Sequence, residues 1–276
     1  MKGDLHCHTN ISDGSVSIDE LLAMSSRLGI THLAITDHDS MSGVARATVM
    51  GKRLGIEIIS GVEISCYDYQ DDKKRLHMLC YLPENPERME GYFKHICDQR
   101  KKVAEKMMQV ACDLYPITPQ MIHARAGYST NVYKTHIMHA IMDAGYANEI
   151  YGEVYHQLFG KGGKANFSPE FEDAAEVIKL IKSAGGIAVL AHPGMYGNMK
   201  AIPRLIEAGL DGIELYHHRN SQEEKEAIEK ICRENHLLVT GGSDFHGLYE
   251  TPVRPLASNS VSDQELMTLY KRKNQQ

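Results

Sequence analysis

The sequence contains no tryptophan and only five phenylalanines, and it has no apolar stretch of about 18 residues from which a membrane-crossing helix could form. Its first ten residues, MKGDLHCHTN, also lack the apolar run of a secretory signal peptide. These absences argue against membrane insertion and against secretion. We therefore expect a cytoplasmic protein.

Cysteine pairs and an excess of positive charge are absent as well. The six cysteines among the 276 residues show no C-x-x-C spacing, which indicates neither a zinc ribbon nor a disulfide framework, and we assign Cys66 and Cys80 to the core. The formal net charge of −6 argues against a protein that coats nucleic acid, because such proteins use broad basic surfaces. A phosphorylated substrate would need local positive charge, which metal ions supply within one pocket.

Short β-rich runs alternate with helical patterns in both end regions of the chain. The first helix is predicted from about Ser17 to Leu28, and Ser17 and Glu20 match a capping box at its start. Repeated strand-then-helix units predict parallel strands joined by right-handed crossovers. We count roughly seven strands, and this number in an α/β chain of this length fits a closed barrel better than an open sheet.

The middle of the chain follows a different pattern. From about Glu84 to Phe167 the segments are helical, with no convincing strand. We interpret most of this region as a helical subdomain inserted into the barrel. The predicted organisation is a first part of the barrel at 1–97, the insertion at 98–167 and a second part of the barrel at 168–276.

Histidines and carboxylates collect at the predicted strand ends. His6 and His8 flank Cys7 at the end of the first strand, and alternate side chains of an extended chain share a face, so the two imidazoles converge. Because the carboxyl ends of parallel barrel strands form one rim, we expect such residues to meet there. The same positions in the other strands and the loops after them hold Asp13, His38, Glu63, His77, His192, His217, His218, Asp244 and His246.

Imidazole combined with carboxylate suits manganese, iron or zinc better than magnesium, which prefers an all-oxygen shell. Asp37 and Asp39 lie on the opposite face from His38, and we interpret them as helix caps or as partners that orient imidazoles. A single histidine near a strand end is usually an ordinary core or surface residue. We assign that role to His95, His123, His139, His156 and His236.

The segments DLHCHTNISDG, ITDHD, GVEIS, AHP and GSDFH together resemble the motifs of the PHP (polymerase and histidinol phosphatase) superfamily of phosphoesterases. They occur in the family's order and cover both ends of the chain. The resemblance implies a distorted seven-stranded, TIM-like barrel that binds two to three divalent metal ions. It maps the nine metal ligands of the family onto His6, His8, Asp13, His38, Glu63, His77, His192, Asp244 and His246.

The same resemblance divides these ligands into sets that share Glu63 as a bridge. The first set is His6, His8, Glu63 and Asp244, the second is Glu63, His77 and His192, and the third is Asp13, His38 and His246. For catalysis we single out Glu63, His192, Asp244 and His217.

The expected reaction is phosphate ester hydrolysis by a metal-bridging hydroxide. Water bound to zinc has a pKa of roughly 7, against 15.7 in bulk, so hydroxide is available at neutral pH. We expect this hydroxide to attack phosphorus in line while the metals neutralise the non-bridging oxygens. The candidates for gripping the phosphate or protonating the leaving oxygen are Lys134, His136, His217 and Arg219.

The chain length and the helical insertion after the fourth strand resemble one branch of the family. That branch contains nucleoside 3′,5′-bisphosphate phosphatases and 5′-to-3′ exoribonucleases that act on short RNA, which implies a nucleotide or a short RNA as the substrate. The branch often carries a G-R-P-H segment, where this chain has Val132-Tyr133-Lys134-Thr135-His136. Lys134 keeps the positive charge but lacks the bidentate fork of arginine.

Three alternatives remain at this stage. A histidinol phosphatase or another small-molecule phosphomonoesterase would use the same ligands. A zinc amidohydrolase also has H-x-H on its first strand and a late aspartate, but it leaves Asp13, Glu63 and His246 without a common explanation. A non-catalytic metal-binding module of a larger nucleic-acid machine is the third, and the complete ligand set argues against it.

Overall fold

A computed structural model describes residues 2–250 and 253–275 of the chain, and its strands form one seven-stranded sheet. The strands are β1 (Gly3–Asp4), β2 (His32–Ile35), β3 (Glu57–Asp68), β4 (Lys74–Tyr81), β5 (Ile187–Leu190), β6 (Gly212–Tyr216) and β7 (Leu238–Gly241). The helices are α1 (Ile18–Arg27), α2 (Val44–Leu54), α3 (Glu87–Leu114), α4 (Pro119–Ala126), α5 (Lys134–Asp143), α6 (Glu153–Phe159), α7 (Ala174–Ser183), α8 (Pro193–Tyr196), α9 (Ile202–Glu207), α10 (Gln222–Glu234) and α11 (Asp263–Lys273).

The strands follow one another around the sheet in chain order, and the first meets the last. The Leu5 amide donates to the Gly241 carbonyl at 3.2 Å, and beyond the strand ends the Asp244 amide donates to the His6 carbonyl at 2.9 Å. These bonds nearly close the sheet into a barrel. The predicted seven-stranded α/β barrel is confirmed, as is the capping box of α1 formed by Ser17 and Glu20.

The expectation of parallel pairing throughout is wrong for β4, which runs antiparallel to both β3 and β5. Only residues 69–73 separate β3 from β4, and a turn this short cannot carry the crossover that parallel strands need. The reversal places the first half of β4 at the rim where the other strands end. His77, early in β4, therefore pairs with Ser65, late in β3.

Strand alternation separates an apolar barrel interior from a polar rim. Ile59 and Glu63 lie four residues apart on β3 and so share its inner face. Ile59 belongs to an interior cluster with Leu5, Leu79 and Val189, whereas Glu63 lies above that cluster at the rim. Helix α11 contributes Leu266 and Leu269 to the same cluster. The apolar layer thus forms the floor beneath the candidate site.

Helices α3 to α6 occupy the chain between β4 and α7, and they share a separate core that includes Met107, Ile122 and Ile137. Helix α3 continues without interruption through residue 98, so the domain limits at 98 and 167 stay a prediction. Among the described residues, no helix combines the length and the apolar character needed to span a membrane.

Arg100 of α3 ties the helical layer to the barrel. Its guanidinium donates to Asp39 Oδ2 at 2.6 Å and to Ser65 Oγ at 2.8 Å, and it lies 4.9 Å from the centre of the Tyr133 ring. Asp39, which is 6% exposed, also accepts the Ser65 amide. A buried ion pair of this kind fixes the position of the helices over the rim.

We expect Arg100→Met to destabilise the protein by about 3–5 kcal/mol, because it leaves the Asp39 carboxylate buried without its cation. The double variant Arg100→Met/Asp39→Asn removes both charges and should lose less stability than Arg100→Met alone. Urea unfolding, monitored by circular dichroism, measures the free energy of unfolding of both variants. A double variant that is less stable than the single one would contradict this account of the pair.

Candidate metal centre

Glu63 lies at the middle of the rim cluster and is 1% exposed. One of its carboxylate oxygens, Oε1, lies 2.8 Å from His77 Nδ1 and 2.7 Å from His192 Nε2. These three residues come from β3, from β4 and from the loop after β5. The structure therefore brings the predicted second ligand set together around one oxygen atom.

The other oxygen of Glu63, Oε2, faces the segment that follows β1. It lies 3.4 Å from His6 Nε2 and 3.2 Å from His8 Nε2. The same two nitrogens lie 3.3 and 3.2 Å from Asp244 Oδ1. The predicted first set, His6, His8, Glu63 and Asp244, forms one compact group whose potential ligand atoms all lie within 4.8 Å of one another.

Asp13 organises the outer part of the site. Its carboxylate lies 3.4 Å from His246 Nε2, 3.7 Å from His38 Nε2 and 3.6 Å from His8 Nδ1. The structure thus groups the three residues of the predicted third set with His8, which that set did not contain. His38 belongs to two groups, because its Nδ1 lies 3.2 Å from Glu63 Oε2 and completes a cluster with His77.

Unpaired buried atoms test whether these residues suit a metal. A buried polar atom without a hydrogen bond costs about 1–3 kcal/mol, so native proteins rarely keep several in one place. The lone-pair acceptors of a neutral imidazole and a carboxylate are the ligand types that divalent transition metals use. In this cluster the described residues provide no hydrogen-bond partner for His6 Nε2, His8 Nδ1 and Nε2, His38 Nδ1, His192 Nδ1 and Asp244 Oδ1.

The field inside the cluster keeps its carboxylates ionised. Burial alone would raise the pKa of Glu63, but His38, His77 and His6 bring it well below its ordinary value. Burial would likewise raise the pKa of Asp244, but His6 and His246 chiefly bring it well below its ordinary value. These carboxylates are negative at neutral pH, which is the state that binds cations. The residues present therefore fit divalent metal ions.

Sequence reasoning missed Glu214 of β6, which is fully buried beside the cluster. Its Oε1 accepts the His6 Nδ1–H at 2.9 Å, and its Oε2 accepts the His192 amide at 2.8 Å. The available signal was a carboxylate at an inward position of the otherwise apolar run Gly-Ile-Glu-Leu. Only the fold reveals which two residues it holds.

The roles inferred for Asp37 and Asp39 need correction. Asp37 accepts the Thr9 amide at 2.8 Å and the Ser12 hydroxyl at 2.6 Å, so it holds the loop that carries Asp13. Asp39 bonds to Arg100 and to the Ser65 amide. In the described structure neither carboxylate caps a helix or hydrogen-bonds an imidazole. Both fix the backbone around the site instead.

A cavity of about 620 Å³ lies between the rim and the helical layer. Two of the residues predicted to bind substrate, Lys134 and Arg219, line it, and so does Arg75 of β4. Burial and the nearby Arg75 lower the pKa of Lys134 to about 8. The tyrosines and the phenylalanine that line the cavity wall are Tyr133, Tyr151, Tyr155, Phe167 and Tyr196.

His136 and His217, also predicted to bind substrate, do not line the cavity. The buried His136 ring accepts the Tyr133 amide at the start of α5. His217 is fully buried, and its Nδ1 accepts the Arg219 amide at 3.1 Å, which leaves Nε2 to donate to Asp244 Oδ2 at 3.3 Å. Its neighbour His218 lines the cavity instead.

Comparison with known proteins identifies the family. The model of the PHP domain matches residues 4–236. The phosphoribosyl 1,2-cyclic phosphate 1,2-diphosphodiesterase of Eggerthella lenta is 30% identical over 251 residues, covering 89% of this chain and 94% of that protein. The 3′,5′-nucleoside bisphosphate phosphatase of Chromobacterium violaceum is 28% identical over 265 residues, covering 88% and 86%.

A solved structure of similar fold is that of a proposed metal-dependent phosphoesterase from Bifidobacterium adolescentis. It superposes with a TM-score of 0.90 at 28% sequence identity and covers 98% of this chain and 96% of that one. The resemblance inferred from the five sequence motifs is thereby confirmed.

We expect protein treated with a chelator to lose stability as the pH rises from about 6.5 to 10. Burial alone would lower the pKa of His246, but Asp13 and Asp244 raise it to about 10. A raised histidine pKa stabilises the fold fully below the unfolded value of about 6.5, and this contribution disappears as the pH approaches 10. Urea unfolding across this range measures the loss, which His246→Gln should reduce. An equal loss in both proteins would contradict the prediction.

Proposed function

The chain belongs to the PHP domain family, and from this premise we propose that it hydrolyses a phosphate ester of a small phosphorylated nucleotide or of the 5′ end of a short RNA, using divalent metal ions. The observation that carries the proposal is the juxtaposition at one cavity. The barrel rim on one side of this cavity holds three overlapping groups of imidazoles and carboxylates, and the cavity walls hold cationic side chains.

The nine predicted ligands would hold the metals, with Glu63 shared between groups. When bound, such metals supply an activated water at neutral pH and positive charge beside the non-bridging phosphate oxygens. Manganese, iron or zinc suits this mixture of nitrogen and oxygen ligands best. We propose two to three ions.

The roles of the catalytic candidates follow from their contacts. Glu63 lies between the groups and so sets their spacing. His217 donates to Asp244 Oδ2, which leaves Oδ1 directed at His6 and His8. We therefore propose that His217 is a positioning residue, whereas His192 and Asp244 act as ligands.

A phosphate-binding subsite at the start of α5 supports an anionic substrate. Among the described residues, the Lys134 ammonium has no carboxylate partner and lies 5.3 Å from the centre of the Phe159 ring. Thr135 is 3% exposed, lines the cavity and has an unpaired hydroxyl. The N-terminus of a helix attracts anions through its backbone dipole. A phosphate at this position would contact the Lys134 ammonium, the Thr135 hydroxyl and the N-terminus of α5.

Arg75 connects this subsite to the ligands. Its charge acts on both Lys134 and Tyr196. The Tyr196 ring centre lies 5.4 Å from that of His77 and 5.7 Å from that of His192. Only the Tyr196 side chain thus separates Arg75 from the candidate metal ligands. This arrangement suits a substrate with one phosphate at the metal ligands and another at the subsite of α5.

The size and walls of the cavity favour a nucleotide. A volume of about 620 Å³ lies within the usual range for small-molecule pockets, roughly 300–1,000 Å³. Stacking of a base on an aromatic side chain contributes about 1–3 kcal/mol, and the tyrosines of the wall offer such surfaces. A short RNA would enter by its end, since extended nucleic acid needs a broad basic surface.

The first test compares substrates side by side. We expect manganese-loaded protein to release phosphate from adenosine 3′,5′-bisphosphate or to shorten 5′-phosphorylated RNA, faster than it hydrolyses histidinol phosphate. Chelation should abolish this activity, and so should Glu63→Gln, which removes the central charge. Undiminished activity after exhaustive chelation would refute the proposal. Ammonia release without phosphate release would favour an amidohydrolase instead.

The second test addresses the subsite. Lys134→Met and Arg75→Met should each raise KM roughly 10- to 100-fold with a smaller change in kcat, because hydrogen bonds to charged groups contribute about 1.5–3 kcal/mol. Lys134→Arg should retain binding. Lys106→Met, an exposed position on α3 outside the cavity, is the matched control. Steady-state kinetics with the best substrate would decide, and an unchanged KM in both variants would exclude the subsite.

A further inference from the structure

We propose that Glu214 is a positioning residue that prepares two candidate ligands of different metals, His6 and His192, at the same time. The inference rests on the proposed function, since it concerns the same metal centre. Glu214 belongs to none of the predicted ligand sets. It acts through the residues that it holds, from the inner face of β6.

The first action is on the imidazole of His6. Its Nδ1–H donates to Glu214 Oε1, and this bond places a proton on Nδ1. In the neutral ring Nε2 then carries the lone pair, and Nε2 is the atom that faces Glu63 and Asp244. A carboxylate behind a ligating imidazole both orients the ring and increases its basicity. Both side chains are fully buried, so water cannot replace this bond.

The second action is on the backbone of His192. This residue has φ 25° and ψ 60°, a conformation that costs a non-glycine residue about 1–3 kcal/mol. Its amide donates to Glu214 Oε2 at 2.8 Å, and its side chain reaches Glu63 Oε1 with Nε2. The charged acceptor therefore stabilises the strained backbone from which the imidazole reaches the cluster.

The chemistry of the pocket requires a carboxylate here. Both partners of Glu214 donate hydrogen bonds, so both of its oxygens must accept. Glutamine keeps the shape but presents an NH₂ group to one donor. Among the described residues, Glu214 has no lysine or arginine partner, and a buried carboxylate without one is costly. Its presence is accounted for by the two ligands that it orders.

Glu214→Gln should therefore weaken metal binding at both positions together. We expect the affinity for Mn²⁺ to fall about 10- to 100-fold, the usual effect of losing a partner behind a ligand. Equilibrium dialysis of the full chain against Mn²⁺, followed by metal analysis, measures affinity and stoichiometry without relying on activity. Glu214→Asp keeps the charge on a shorter side chain and should recover part of the affinity.

The matched control is Asp211→Asn. Asp211 is 5% exposed, precedes β6 at the end opposite the site, accepts the Ala188 amide and pairs with Lys182. Its loss should lower stability while leaving Mn²⁺ affinity unchanged.

A thermodynamic cycle with His6→Gln separates positioning from a general structural effect. If Glu214 acts partly through His6, the loss of Mn²⁺ affinity in the double variant will be smaller than the two single losses combined. Folded Glu214→Gln protein that binds Mn²⁺ with the affinity of the parent would overturn the inference. If Glu214→Gln does not fold, parent-like Mn²⁺ affinity in Glu214→Asp and in His6→Gln would overturn it as well. A parent protein that binds no divalent metal would instead refute the proposed function.

Discussion

One carboxylate, that of Glu63, is the interaction on which the arrangement of the site depends. Five imidazole nitrogens lie between 2.7 and 3.4 Å from its two oxygens, and they come from segments as distant as His6 and His192. A negative charge at the centre favours this crowding of imidazoles, and His38, His77 and His6 in turn lower the pKa of Glu63 well below its ordinary value. The apolar layer below packs beneath this carboxylate in the barrel interior.

Two layers of the protein enclose the candidate site. The barrel rim provides the imidazoles and carboxylates that suit divalent metals. The helices above it supply Lys134 and aromatic walls, and Arg100 holds them in place through Asp39. The candidate metal ligands therefore come from the barrel, whereas the cavity above them is lined by residues of both layers, including Arg75 of β4.

Buried carboxylates that belong to none of the predicted ligand sets recur around the cluster. Asp37 holds the loop of Asp13, Asp39 holds the end of β3, and Glu214 holds two histidines. Left-handed backbone occurs at His192 and Asp244, where strain accompanies the site. The rim is thus ordered by hydrogen bonds to backbone amides and side chains that lie behind the ligands.

The sequence by itself determined the candidate ligands and the strand pattern, because both are local. Alternation places His6 with His8 and Ile59 with Glu63 whatever lies elsewhere in the chain. Only the tertiary structure decided that β4 runs antiparallel, that His218 rather than His217 lines the cavity, and that Glu214 meets His192. These facts depend on turn length and on which distant segments pack together, and no periodicity within one segment encodes them.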